Sequence, residues 1–307
     1  MIFQPTPTDY RGIKGLPRTD GNWKPYIDFY EGQLIEGQDS DGCVLFSTQE
    51  AFDAQINYLI ANNQIPAGTL NLFTELGFMD SNSLDGKAHF HSSPRYLQIL
   101  TGNGFNGNSV QEGWQVIQKY GCVPWSDLPV DLQLTPEQYL APISQAVLNK
   151  GQQFLSAIGG KSSITYSWIC DGTENIKNMI AALPSAPLIL GVVTDAGWNQ
   201  TNPTPPPSGT DPNHAVMNYQ IFNGTNVWIY DHYQPADKDL VNYPVIYAFQ
   251  GTVNVVPPPP APTLPANPTT VQEQTWLQQL VQWLSSLVNG LGKAKGREIL
   301  NDYSLKK

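Results

Sequence analysis

Apolar positions in the first half of the chain recur with a helical period, and those in the second half with a period near two. Residues 1–30 carry Pro5, Pro7, Pro17 and Pro25 among polar neighbours and read as an extended lead-in. Over 43–62, Phe46, Ala51, Phe52, Ile56, Leu59 and Ile60 fall at helical spacing, with Asp39, Ser40 or Asp41 as candidate caps and Cys43 in the first turn. Further helices are predicted over 93–101, over 109–121 with Ser109 as N-cap and Gly121 just past the end, over 135–158, and over 173–183. The period then changes. Residues 187–193, 214–222 and 226–233 read as strands, and Asn223-Gly224 supplies a hairpin turn between the last two. The intervening 199–213, rich in Pro, Thr and Asn, reads as a surface loop.

Helices followed by strands predict an α+β protein whose two halves face each other. The proline run at 257–268 ends the main domain, which gives a lead-in over 1–19, a domain over 20–256, a linker over 257–269 and a terminal segment over 270–307. That segment opens on an amphipathic helix, with Trp276, Leu277, Leu280, Val281, Trp283, Leu284, Leu287 and Leu291 on one broad face, and closes on a basic tail. The expected use of the helix is docking on its own protein, on a second copy or on a partner protein. Trp276 and Trp283 could also anchor it at a membrane surface, but a polar face of Gln and Ser makes that attraction weak.

Only 14% of residues are charged, and Asn, Gln, Ser, Thr, Pro and Gly fill the surface instead, a composition that favours a virion or extracellular setting. A net charge of −10 argues against a nucleic-acid partner. No basic segment followed by an apolar run marks a signal peptide, and no stretch reaches the length of a membrane helix. The three cysteines, Cys43, Cys122 and Cys170, form neither a disulfide framework nor a CxxC zinc pair. His89 and His91 would share one face of a strand, which suits a metal, but no third ligand is near in sequence; no metal and no cofactor are expected.

A thiol becomes a good nucleophile at a helix N-terminus and beside an imidazolium. Cys43 has the first feature if its helix forms, and His214, opening a strand after a polar loop, can supply the second. Asp231 lies on the next strand of the hairpin, where it can orient the imidazole. His232 beside it should point to the other face. A lone cysteine near a helix start fits a small buried residue equally well, and a histidine beside Ala-Val fits a hydrogen-bonded core or surface position. Spacing alone leaves both readings open.

Four segments, in order, resemble the papain family of cysteine peptidases. DGCVLFS at 41–47 is similar to the nucleophile segment, with Phe46 and Ser47 matching. GNSVQEGWQVIQKYGCVPWSDLP at 107–129 is similar to a family stretch through Gly107-Asn108, Tyr120-Gly121, Val123-Pro124 and Pro129. NHAVMNYQIF at 213–222 resembles the histidine strand. VWIYDHY at 227–233 resembles the strand that carries the family's asparagine and tryptophan, with Asp231 and Tyr233 in their places. The unbridged form is nearest to the short papain-like proteins encoded by tailed phages, and no inhibitory propeptide is expected upstream.

The resemblance implies a two-lobed fold and acyl transfer on a peptide or protein substrate. Cys43 would attack the carbonyl, His214 would protonate the leaving amine, and Asp231 would orient His214. It also implies a cleft near Asn108, Ser109 and Tyr233. The family's oxyanion glutamine falls six residues before the nucleophile, where this chain has Gly37, so Gln38 and Gln33 are the candidates. Val44 stands where the family has tryptophan, and Ser40 where it often has a disulfide cysteine. These departures sustain a second expectation, a catalytically weak or inactive papain-like module serving a virion or other extracellular assembly. A cell-wall amidase of a related Cys/His fold is a third, against which the 107–129 segment argues.

Overall fold

The computed structural model describes residues 18–291 except 36–37, 132, 172–175, 195–196, 206, 208–210, 242, 244, 246, 257–262 and 264–268. Most of the lead-in, most of the proline run and the basic tail therefore lie outside the described residues. From residue 18 the chain already belongs to the body: Trp23 is fully buried and its indole N–H donates to the Leu183 carbonyl at 2.7 Å.

A short hairpin, β1 (Leu34–Ile35) and β2 (Gln38–Asp39), leads into α1 (Cys43–Ala61). Next come α2 (Ala67–Leu76), β3 (Met79–Asp80) paired with β4 (His89–Phe90), α3 (Pro94–Thr101), α4 (Val110–Tyr120), α5 (Pro136–Tyr139) and α6 (Gln145–Ala157). The sheet strands follow: β5 (Ile164–Asp171), β6 (Leu188–Val192), β7 (His214–Phe222), β8 (Asn226–Tyr230), β9 (Asp237–Val241) and β10 (Tyr247–Val253), with α7 (Ile176–Ala182) between β5 and β6. They form one antiparallel sheet in the order β5-β10-β6-β7-β8-β9. The fold is thus α+β, helices first and sheet second. The last element, α8 (Thr270–Leu291), packs along α6.

α1 is the axis of the molecule. It packs on β6, β7 and β10 on one side and on α3 and α4 on the other, and every residue from Cys43 to Leu59 is buried. A helix buried all round must satisfy its polar side chains internally. Ser47 donates to the Ala215 carbonyl at 3.0 Å. Gln55 bridges to β10, donating to Gly251 at 3.1 Å and accepting from the Val253 amide at 3.0 Å. Asn57 exchanges bonds with the Phe90 backbone, 3.2 Å out and 2.8 Å back. These polar positions tie the helix to three different strands.

Several expectations are corrected. The N-cap of α1 is Gly42 rather than Asp39, Ser40 or Asp41. The segment 135–158 is two helices, because Pro142 interrupts the ladder and Ser144 caps a fresh start. α2, β5, β9 and β10 were not foreseen, and β8 stops at Tyr230. The cap of α4 falls at Ser109 as expected, Ser93 caps α3 ahead of Pro94, and Asn223-Gly224 has positive φ at both residues (51° and 72°), as a type I′ hairpin turn requires.

Gly121 ends α4 with φ of 74°, and a Cβ there would lie 2.0 Å from the backbone oxygen of Gly151 on α6. Left-handed strain and an unavoidable backbone clash add together. Gly121→Ala is expected to cost about 3 kcal/mol or more and to lower the Tm by roughly 6–10 °C. A thermal melt within a degree or two of wild type would show that the α4–α6 contact is not close.

Candidate active site

Cys43 opens α1, and the turn before it is pinned from α3: Gln98 donates to the Ser40 carbonyl at 2.6 Å. Gly42 is needed for this fit, since a Cβ there would meet the Gln98 Oε1 at 2.7 Å. His214 opens β7 opposite Val192, held from the preceding residue by the bond between the Asn213 amide and the Val192 carbonyl, 3.0 Å. The β7–β8 hairpin carries Asp231 back beside it. Three distant segments therefore converge, and Cys43, His214 and Asp231 are 5%, 4% and 0% exposed.

The imidazole interacts with both Asp231 and Cys43. His214 Nε2 lies 2.8 Å from Asp231 Oδ1, and the ring is also hydrogen-bonded to Cys43. Burial alone would pull the His214 pKa down. The hydrogen bonds to Asp231 and Cys43, with their charges, outweigh it and raise the pKa to about 10. Burial would likewise push Asp231 up, but the bonds and charges of His214 and Lys238 hold it below the usual carboxylate range. Asp231 accepts from four donors: His214 Nε2 at 2.8 Å, the His232 amide at 2.8 Å, Trp198 Nε1 at 2.7 Å and Lys238 Nζ at 2.7 Å.

Tyr233 covers the pair. Its ring centroid is 5.2 Å from that of His214, and its hydroxyl is hydrogen-bonded to Asp39 and to the Gln33 side chain. Gln33 is 1% exposed and its Oε1 has no partner among the described residues, so the bond to Tyr233 runs through the amide Nε2. That nitrogen thus sits in the same cluster as the sulfur and the imidazole. The side chain of Gln38 lies outside the described residues.

Asn108 and Ser109 stand in the turn before α4. Asn108 accepts from Asn103 at 3.0 Å, and Ser109 forms a capping box with Glu112 at the start of α4. Their bonds lie within the turn that launches the helix. His232, two residues past the end of β8, pairs through Nδ1 with the Glu31 carbonyl at 3.0 Å; burial pushes its pKa down to about 4. His89 and His91 are each taken up by carboxylates: Asp28 and Asp85 at 3.1 and 2.9 Å, Glu31 and Asp80 at 2.5 and 3.0 Å. Among the described residues, no group of three or more His, Cys, Asp or Glu side chains is arranged to hold a metal ion. None of the helices described is long and apolar enough to cross a membrane.

Sequence reasoning missed Trp198 and Lys238. Trp198 stands just before the 199–213 segment, is 3% exposed, and packs its ring edge-on to His214 at 5.8 Å. Lys238 lies on the unforeseen β9. A tryptophan at the edge of a proline-rich loop was the one available signal for the first; nothing local marks the second.

No known family profile and no curated protein matches the sequence. Among solved structures, the chain is similar to a cysteine protease of Carica candamarcensis in complex with E-64 (14% identity, 76% of this chain and 97% of that one, TM-score 0.47). It is similar also to the bromelain protease of Ananas comosus in complex with the same inhibitor (14%, 76% and 98%, 0.47). A third is digestive procathepsin L 3 of the Tenebrio molitor larval midgut (12%, 82% and 74%, 0.47).

Proposed function

We propose that this chain is a papain-like thiol peptidase that cleaves peptide bonds through Cys43 and His214. The observation that carries the reading is the unbroken line of bonds from Cys43, at the start of a buried helix, through His214 to a fully buried Asp231. The Cys43 sulfur attacks the carbonyl carbon while the protonated His214 gives its proton to the leaving amine, releasing one product and leaving a thioester. Water then attacks the thioester, His214 takes its proton, and the acid product departs. The Cys43 backbone N–H and the Gln33 amide, which bonds Tyr233 beside His214, are assigned as the oxyanion donors. Asp231 fixes the tautomer and sustains the imidazolium.

A peptidyl epoxide tests the reading. The expected result is a single adduct on Cys43, found by mass spectrometry, together with hydrolysis of a fluorogenic peptide. A second reading, a papain-like module without turnover in a virion or extracellular assembly, is favoured by the cover over the site: Cys43 is 5% exposed, and Tyr233 is strapped to Asp39. An unlabelled, inert protein would support it.

The oxyanion assignment has its own test. Gln33→Ala is expected to lower kcat by about 10²–10³-fold with little change in KM, the size of one lost oxyanion donor. A larger loss in Gln38→Ala than in Gln33→Ala would reverse the assignment.

A further inference from the structure

Lys238 is the second residue of β9 and is wholly shielded from solvent. A buried ammonium is tolerated only where its protons are matched. Here Nζ donates to Asp231 Oδ2 at 2.7 Å, to the Tyr233 carbonyl at 2.7 Å and to the Pro235 carbonyl at 2.6 Å. The two carbonyls belong to the turn between β8 and β9, so one cation gathers that turn under Asp231. The other carboxylate oxygen takes His214 Nε2 at 2.8 Å. One buried carboxylate therefore stands between two cationic groups. Trp198 seals the arrangement, with its N–H on Asp231 Oδ2, its ring 5.4 Å from Lys238 Nζ and its edge against His214.

A carboxylate facing a lone imidazolium in a dry site holds that proton with its full field. A second cation on the same carboxylate weakens the hold, while its three bonds keep the carboxylate in place. We propose that Lys238 is a positioning residue of this site: it locks Asp231 behind His214 and, by sharing the charge of Asp231, sets how readily His214 releases its proton. The part concerning delivery to a leaving amine rests on the peptidase reading; the part concerning proton affinity holds for any chemistry of Cys43 and His214. The groups facing His214 are Asp231 from the end of β8, Cys43 from α1 and Tyr233, itself bonded to Asp39 of β2. Those facing Lys238 are Asp231 and, at longer range, Asp237, with the neutral His232 also within the field of both.

Lys238→Met keeps an unbranched side chain one atom shorter and removes the charge. Lys238→Gln also removes it but retains an amide to hold the turn. In each, the His214 ring titration followed by NMR is expected to move up by about one pH unit, a tenfold gain in proton affinity. A merely structural lysine predicts the opposite: a loosened turn admits water, and the midpoint stays or falls. Either outcome overturns the proposal. Should neither variant fold, the unaltered protein decides through the Lys238 Nζ resonance. A slowly exchanging ammonium at neutral pH is expected, and a neutral amine overturns the proposal. The titration reads out without peptide hydrolysis. An inert wild type with the expected shift therefore rejects only the peptidase reading, and an active wild type without the shift rejects only the role of Lys238.

Discussion

Cys43→Ala is expected to lower kcat/KM on any peptide the wild type cleaves by about 10⁴-fold or more, the scale seen when a nucleophile is removed from a site that otherwise still binds. The argument is local. Cys43 is the residue that brings a sulfur to the His214 imidazole, and neither of the other thiols can replace it. Cys122 and Cys170 are both buried elsewhere, and burial pushes the Cys122 pKa well above the ordinary thiol range. The substitution removes one sulfur from the first turn of a helix held along its whole length, so the melting temperature should move by no more than a few degrees. Activity measured beside a circular-dichroism melt separates the two effects. A folded Cys43→Ala protein that still hydrolyses peptide, or still takes up the epoxide, sinks the proposed mechanism.

Asp231→Ala is expected to damage stability as well as activity. The carboxylate is fully buried and answers four donors, one of them an ammonium with no exposure of its own. Removing one partner of a buried ion pair costs about 3–5 kcal/mol, because the charge left behind has lost its compensation. The pH dependence should change with it. A histidine with a raised folded pKa stabilises the protein fully below its unfolded value near 6.5, and that contribution is lost as pH rises through about 10. Asp231 acts at the acid end: its contribution is present above about 3.8 and is lost as pH falls through its lower folded value. Wild-type stability should therefore decline between about pH 6.5 and 10, and Asp231→Ala should flatten that decline while unfolding earlier in urea at pH 7. Equal urea midpoints for the two proteins at neutral pH would contradict the buried-pair account.

The parts of this protein that were legible in its sequence are those made by neighbours along the chain. The helical spacing from Phe46 to Ile60, the Ser109 N-cap and the Asn223-Gly224 turn each involve residues a few positions apart, where backbone geometry alone dictates the outcome. The helix-first, strand-later order follows from the same local periodicities. Cys43 at a helix start and His214 at a strand start were legible for the same reason, and the hairpin turn brought Asp231 with them.

What tertiary structure decided is everything carried by contacts across the fold. β10 enters the middle of the sheet, between β5 and β6, although it comes last in sequence among the strands. No local pattern specifies that insertion; it is fixed by the buried face of α1, whose Gln55 reaches both Gly251 and Val253. The choice of Gln33 as the glutamine beside Tyr233 depends on how the β1–β2 hairpin folds, not on counting back from Cys43. Lys238 and Trp198 are the clearest case: no periodicity, cap or turn signal in the sequence singles out either residue. They are buried because Asp231, brought from another strand, offers each of them a partner that water would otherwise supply. The sequence determined which residues could do chemistry at a helix start and a strand start. The fold decided which charges surround them, because burial and pairing are set by segments that meet only once the chain has closed.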